Sequence, residues 1–123
     1  MPFLLSIAAV AASSAWVEFD RRPAGWAESP YEYDPGSIRR EGQRVRVNYR
    51  YKFFYSGIPD PEYLVTIDLD CPGNRTRVFR QRVQGGLTRR GTGSSMTTAP
   101  GPSTPIAPGS IEASLARRLC TQD

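Results

Sequence analysis

Residues 43–55 read Gln43-Arg44-Val45-Arg46-Val47-Asn48-Tyr49-Arg50-Tyr51-Lys52-Phe53-Phe54-Tyr55. Val45, Val47, Tyr49, Tyr51, Phe53 and Tyr55 fall on one side of a two-residue period, and Arg44, Arg46, Asn48, Arg50 and Lys52 on the other. Side chains alternate between faces along a strand, so the stretch predicts a long strand with one face in the core and one in water. Only Phe54 breaks the alternation, placing a ring on the wet face near the end. Glu62 to Cys71 alternates in the same way: Tyr63, Val65, Ile67 and Leu69 share a face, with Cys71 in phase. Pro72-Gly73-Asn74 is hairpin-turn chemistry, and Arg75 to Gln84 reads as the next strand, with poorer alternation. Short connections between successive strands predict an antiparallel meander, because parallel pairing needs long crossovers.

Upstream, Trp16 to Asp20 reads as a short first strand, Asp20 to Pro30 as a connection and Tyr31 to Asp34 as a second short strand. Asp34-Pro35-Gly36-Ser37 and Glu41-Gly42 are turn signals. Ser56 to Pro61 reads as a loop. Downstream, Gly85 to Gly109 is rich in Gly, Pro, Ser and Thr and predicts an extended connection, with Thr92 to Thr98 as an edge strand. Ser110 to Leu119 predicts a helix. Ser110 suits the N-cap, Glu112 and the pair Arg117 and Arg118 match the helix dipole at its two ends, and Ile111, Leu115 and Leu119 form an apolar stripe. The expected fold is α+β: an antiparallel sheet with this helix laid on one face.

Met1 to Ala15 has the character of an export leader. Phe3 to Ala12 is apolar, and Ser13, Ser14 and Ala15 are small residues ahead of a cleavage point before Trp16. Its first residues carry no Lys or Arg. The alternative is an N-terminal apolar segment buried in the fold. A signal peptide over 1–15 and one domain over 16–123 are expected, since the remaining ~108 residues suffice for one small core and not two. The expected location is the periplasm or the exterior, without a lipid-attachment cysteine and without a transmembrane segment.

Cys71 and Cys120 are the only cysteines, which leaves one intramolecular pairing. Closing that ~50-residue loop is worth about 4 kcal/mol on the chain-entropy model. The alternative is a reactive thiol, for which the chain offers no histidine as base. The net charge of +4 is carried almost wholly by arginine; Lys52 is the only lysine.

The absence of histidine excludes His-based acid–base catalysis and His metal ligation. Asp68 and Asp70 share a strand face. They read as a solvated or arginine-paired face rather than a cation site, with Arg75 or Arg77 as cross-strand partners. No nucleophile–base pair or metal cluster can be assembled, so neither an enzyme nor a cofactor is expected. Arg44, Arg46, Arg50 and Lys52, with Phe54, form the candidate ligand patch, joined by Arg80 and Arg82 if register allows. The patch suits acidic polysaccharide, lipid headgroups or acidic protein; the alternative is a solvated face that discourages edge pairing. Nucleic acid is not expected, since no recognised binding motif is present. Tyr49, Tyr51, Phe53 and Tyr55 share the face of Val45 and read as core. Gly85 to Gly93, with Arg89 and Arg90, has no following helix start and is not a phosphate loop.

Several segments in order resemble the surface-adhesin protein E-like family of bacterial exported proteins. They are Trp16 after the leader, Tyr33 to Gly42 at the entry to the longest strand, Val45-Arg46-Val47, Asp70-Cys71, and Pro108-Gly109-Ser110 followed by Glu112, Leu115 and Cys120. The resemblance spans roughly residues 16 to 120. It implies a curved antiparallel sheet of about six strands with a disulfide-tethered C-terminal helix. It also implies adhesion to extracellular-matrix or other macromolecules, with self-association into homodimers in some members. A periplasmic inhibitor-type or structural envelope domain is the alternative. The chain departs from the family by lacking the prototype's lipid-attachment cysteine and by having Ser103-Thr104-Pro105-Ile106 where an aromatic residue is expected.

Overall fold

The computed structural model describes residues 15–54, 60–85, 94–97 and 100–120. The expected leader therefore lies outside the described residues except for Ala15, as do Tyr55, most of the 56–61 loop and most of the Gly85 to Gly93 stretch. Among the described residues, strands β1 (Val17–Ala24), β2 (Ala27–Tyr33), β3 (Arg39–Glu41), β4 (Arg44–Lys52), β5 (Glu62–Asp70), β6 (Arg75–Gln84), β7 (Ser94–Thr97) and β8 (Thr104–Pro105) precede the helix α1 (Ile111–Leu119). All strands join one antiparallel sheet of order β1-β2-β4-β5-β6-β7, with β3 also pairing to β4 and β8 to β6. This is the expected curved sheet of about six strands, with two short additions.

β4 and β5 pair without a slip from Arg44 opposite Asp70 to Lys52 opposite Glu62. Their alternation therefore sends Val45, Val47, Tyr49, Val65, Ile67 and Leu69 to one face, where all are buried. The helix stripe meets that face: Leu115 and Leu119 are fully buried, with Ile106 and Phe19 closing the core. Ser110 caps the helix by accepting the Ala113 N–H at 3.1 Å. At the other end Cys120 is bonded to Cys71, with Cα atoms 5.5 Å apart. The connection before the helix is extended as expected and is tied to the sheet. The Ile106 N–H donates to the Asn74 carbonyl at 3.0 Å and the Gly101 N–H to the Val78 carbonyl at 2.8 Å.

Asp34 begins a single 3-10 turn over Pro35–Ser37, accepting the Gly36 N–H at 2.9 Å. Gly42, at φ +62°, turns β3 into β4. The poor alternation of β6 has a specific cause. The register against β5 slips between Thr66 and Ile67, so that Arg80 and Val78 are successive partners and Phe79 is an extra residue. A bulge of this kind reverses the phase of the strand and bends it.

The connection expected over Asp20 to Pro30 is instead strand and hairpin. β1 runs on to Ala24 and β2 begins at Ala27. Pro23 is tolerated because β1 is the edge of the sheet. Pro30 lies past the short β2–β4 ladder, which holds only Glu32 and Tyr33. There the Lys52 N–H finds the Ser29 hydroxyl instead, at 2.9 Å. Gly25, at φ +79°, makes the turn, and a Cβ there would collide with the Phe54 carbonyl oxygen.

Asp20 fastens the helix to β1. It accepts hydrogen bonds from the Arg22 guanidinium at 2.8 Å and the Ser114 hydroxyl at 2.8 Å, while Arg22 also reaches the Gly109 carbonyl at 2.6 Å. The Arg22 bond outweighs burial and, with Ser114 and the Arg21 N–H, lowers the Asp20 carboxyl from 3.8 to about 2. A depressed carboxyl stabilises the fold above its unfolded pKa and loses that contribution as pH falls through the folded value. Asp20→Asn is thus expected to cost on the order of 1 kcal/mol at neutral pH, allowing for solvent screening. The gap from wild type should close between pH values of about 4 and about 2. Urea midpoints across that range test this, and a gap independent of pH would remove Asp20 from the account.

Candidate functional site

The face of the sheet opposite the helix is ordered by its register. Arg44, Asp70 and Arg75 lie in one row across β4, β5 and β6, and Arg46, Asp68 and Arg77 in the next. An acidic central strand is flanked by arginines on both sides. The two rows behave differently.

In the inner row both arginines share one carboxylate. Arg46 donates from Nε and Nη2 to the two Asp68 oxygens at 2.6 and 3.0 Å, and Arg77 Nη2 reaches Asp68 at 3.2 Å. The Arg46 guanidinium also lies 3.7 Å above the ring of Phe79, which is two residues past Arg77 and in phase with it. Burial pulls the Asp68 carboxyl up, but the hydrogen bonds and charges of Arg46 and Arg77 overcome it and hold the group below its ordinary value. The bond to Asp68 likewise raises Arg46. Asp68 is therefore an ionised anchor between two cations, in keeping with the expected cross-strand pairing.

In the outer row the same residue types remain apart. Asp70 accepts the Gly73 N–H at 3.2 Å, and Arg75 turns to Ser103, donating to its hydroxyl at 2.9 Å and its carbonyl at 2.8 Å. Arg44 is exposed and has no ion-pair partner among the described residues. β3 pairs alongside this end of β4, with Arg39 opposite Arg46 and Glu41 opposite Arg44. Between β3, the two rows and Ser103 lies an open cleft of about 670 Å³, lined by six arginines and three carboxylates. Arginine outnumbers carboxylate in its lining two to one, and its mouth faces solvent.

The predicted patch is divided by the structure. Arg44 and Arg46 line the cleft. Arg50 lies further along β4, paired with Glu32 at 2.9 Å and stacked 4.2 Å above the Trp16 ring. Lys52 and Phe54 are at the far end, about 30 Å from Arg44 at the rise of a strand. Phe54 is half-buried rather than a free ring. It packs against Trp26 with centroids 6.1 Å apart, and Trp26 is the large apolar residue left 71 % exposed. Arg80 and Arg82 do share the face, opposite Thr66 and Leu64. Arg39, Arg40 and Ser103 belong to the cleft without any local sequence signal, because β3 is three exposed residues and Ser103 sits in the proline-rich stretch.

Of the aromatic residues expected in the core, Tyr49 is buried, Tyr51 packs half-buried against the core, Phe53 is half-buried, and Tyr55 lies outside the described residues. Tyr31, Tyr51 and Tyr63 stack across three strands, with centroids 4.6 and 4.8 Å apart. Tyr49 is buried, which pushes its phenol well above the ordinary value. Among the described residues no group of three or more His, Cys, Asp or Glu is placed to hold a metal ion, and no helix is long and apolar enough to cross a membrane. In comparisons with protein-family models, curated proteins and solved structures, the chain matches none.

Proposed function

We propose that this chain is an exported, non-catalytic binding domain that recognises an acidic macromolecule, such as an acidic matrix component or polyanion, through the β3–β6 cleft. The observation that carries the reading is the excess of arginine over carboxylate in a solvent-open cleft, where Arg44 and Arg75 make no salt bridge with a carboxylate among the described residues. Clefts of one sign concentrate ligands of the other. Export is supported by the leader-like first fifteen residues and by the Cys71–Cys120 bond, since disulfides persist in oxidising compartments. The ordered resemblance to protein E-like adhesins points to the same class of role. The homodimer that the family resemblance implies is not needed for this cleft, whose lining comes from one chain.

Arg44→Ala/Arg75→Ala is expected to weaken binding to immobilised polyanion by about tenfold or more, since hydrogen bonds to charged groups are each worth about 1.5–3 kcal/mol. Arg50→Ala/Lys52→Ala, outside the cleft, should leave it within about twofold. Equal losses from the two pairs would assign binding to net charge and not to the cleft.

A further inference from the structure

We infer that the ligand of this cleft is a linear sulfated polysaccharide, whose sulfate groups are taken by guanidiniums that Asp68 holds in place. The inference rests on the binding-domain reading and narrows it. Arg44 and Arg46 repeat along β4, and Arg75 and Arg77 along β6. Strand geometry spaces such residues about 7 Å along each strand and about 10 Å across the intervening one. A grid of that kind matches a polymer with repeated anionic groups rather than one small ion.

The inner pair is preset. Asp68 engages two donors of Arg46 and one of Arg77, and Phe79 supports Arg46 from below. Each guanidinium has five N–H donors in a planar fork, so donors remain for an oxyanion after Asp68 is satisfied. Holding the fork before binding reduces the ordering cost of association. Arg75 is similarly fixed by Ser103.

The lining also discriminates among polyanions. A protein partner needs a buried apolar or aromatic centre, but the apolar lining residues Val45 and Leu69 turn their side chains into the core. Single-stranded nucleic acid needs aromatic faces for base stacking, and the Phe79 face is taken by Arg46. Membrane docking is favoured by exposed apolar side chains beside the charge. Among the described residues the large exposed apolar ones are Trp26, at the β1–β2 turn, and Val78, which pairs with Ile67 on the helix side. A cleft of about 670 Å³ is of the size that encloses a drug-sized ligand, which suits a few sugar rings and not a duplex.

The test titrates the full chain with a heparin hexasaccharide, hyaluronan of equal length, polyglutamate, a DNA oligonucleotide and anionic vesicles. Heparin should bind at least about tenfold tighter than hyaluronan, which has carboxylates and no sulfate. Asp68→Asn and Glu41→Gln make the same charge change inside the cleft. Asp68→Asn should weaken heparin binding about threefold or more because the forks are released, whereas Glu41→Gln, which removes a negative charge from the same cleft, should tighten it. Arg46→Lys keeps the charge, removes the fork and should also lose about threefold, so the point stands if Asp68→Asn fails to fold. Tightening by Asp68→Asn together with no loss in Arg46→Lys would overturn the inference. Equal heparin and hyaluronan affinity, or tighter binding of DNA, polyglutamate or vesicles, would overturn it while leaving a binding domain. Binding of none of these probes would overturn both readings.

Discussion

Cys71→Ser/Cys120→Ser lowers the unfolding free energy by about 4 kcal/mol, the chain-entropy value for a loop of this length. The bond joins residues 49 apart in sequence, and without it the unfolded chain regains the freedom of that whole segment. Small domains have total stabilities of about 5–15 kcal/mol, so the loss takes a large share. It corresponds to a fall in melting temperature of about 20 °C for a domain of this size. The effect is larger than that of any surface ion pair here, because the exposed pairs gain little over solvent. Urea unfolding of wild type with and without reductant, beside the double variant, measures it. Reductant should move the wild type onto the variant and leave the variant unmoved. A loss below about 1 kcal/mol would mean that the tether constrains little.

Leu115→Ala is expected to cost about 3 kcal/mol, within the range for truncating a buried leucine. Leu115 is fully buried at the middle of the helix stripe, between sheet and helix. Truncation leaves a cavity there, while the disulfide prevents the helix from leaving. The variant should therefore fold with native far-ultraviolet dichroism and a lower urea midpoint. Both changes act on the docking of one helix, so the triple variant should depart from the sum of the separate losses. A loss of less than about 1 kcal/mol for Leu115→Ala would show that the helix contributes little to the core.

The scaffold was legible where one face of an element is wet and the other is buried. Val45 to Tyr49 and Val65 to Leu69 show the two-residue period because they occupy the central strands, and Ile111, Leu115 and Leu119 show the helical one. Turn chemistry was equally local at Asp34-Pro35-Gly36 and at the β5–β6 hairpin. The β1–β2 hairpin was obscured because an edge strand admits Pro23 and because Gly25 is needed for the close approach of Phe54. The phase of β6 was hidden by the extra residue Phe79, whose effect exists only relative to β5.

The cleft was less legible for a related reason. Its basic character could be read from Arg44 and Arg46, but the division of rows depends on distant partners. Asp68 holds Arg46 and Arg77 because register places it between them. Asp70, one pleat along, is instead drawn to the turn, and Arg75 to Ser103. Arg50 and Lys52 belong to the same wet face by alternation, yet Glu32 and Trp16 occupy Arg50, and strand length separates Lys52 from the cleft. Period-two reasoning identifies a face; it does not say which part of the face is spent on internal pairing.

The most direct test is the mapping of amide resonances in the isotope-labelled full chain during titration with a heparin hexasaccharide. Shifts confined to Arg39–Arg46, Asp68–Arg77 and Ser103 are expected, with Trp26 and Phe54 unmoved. Shifts centred on the Trp26–Phe54 end, or none at saturating sugar, would contradict binding in the cleft.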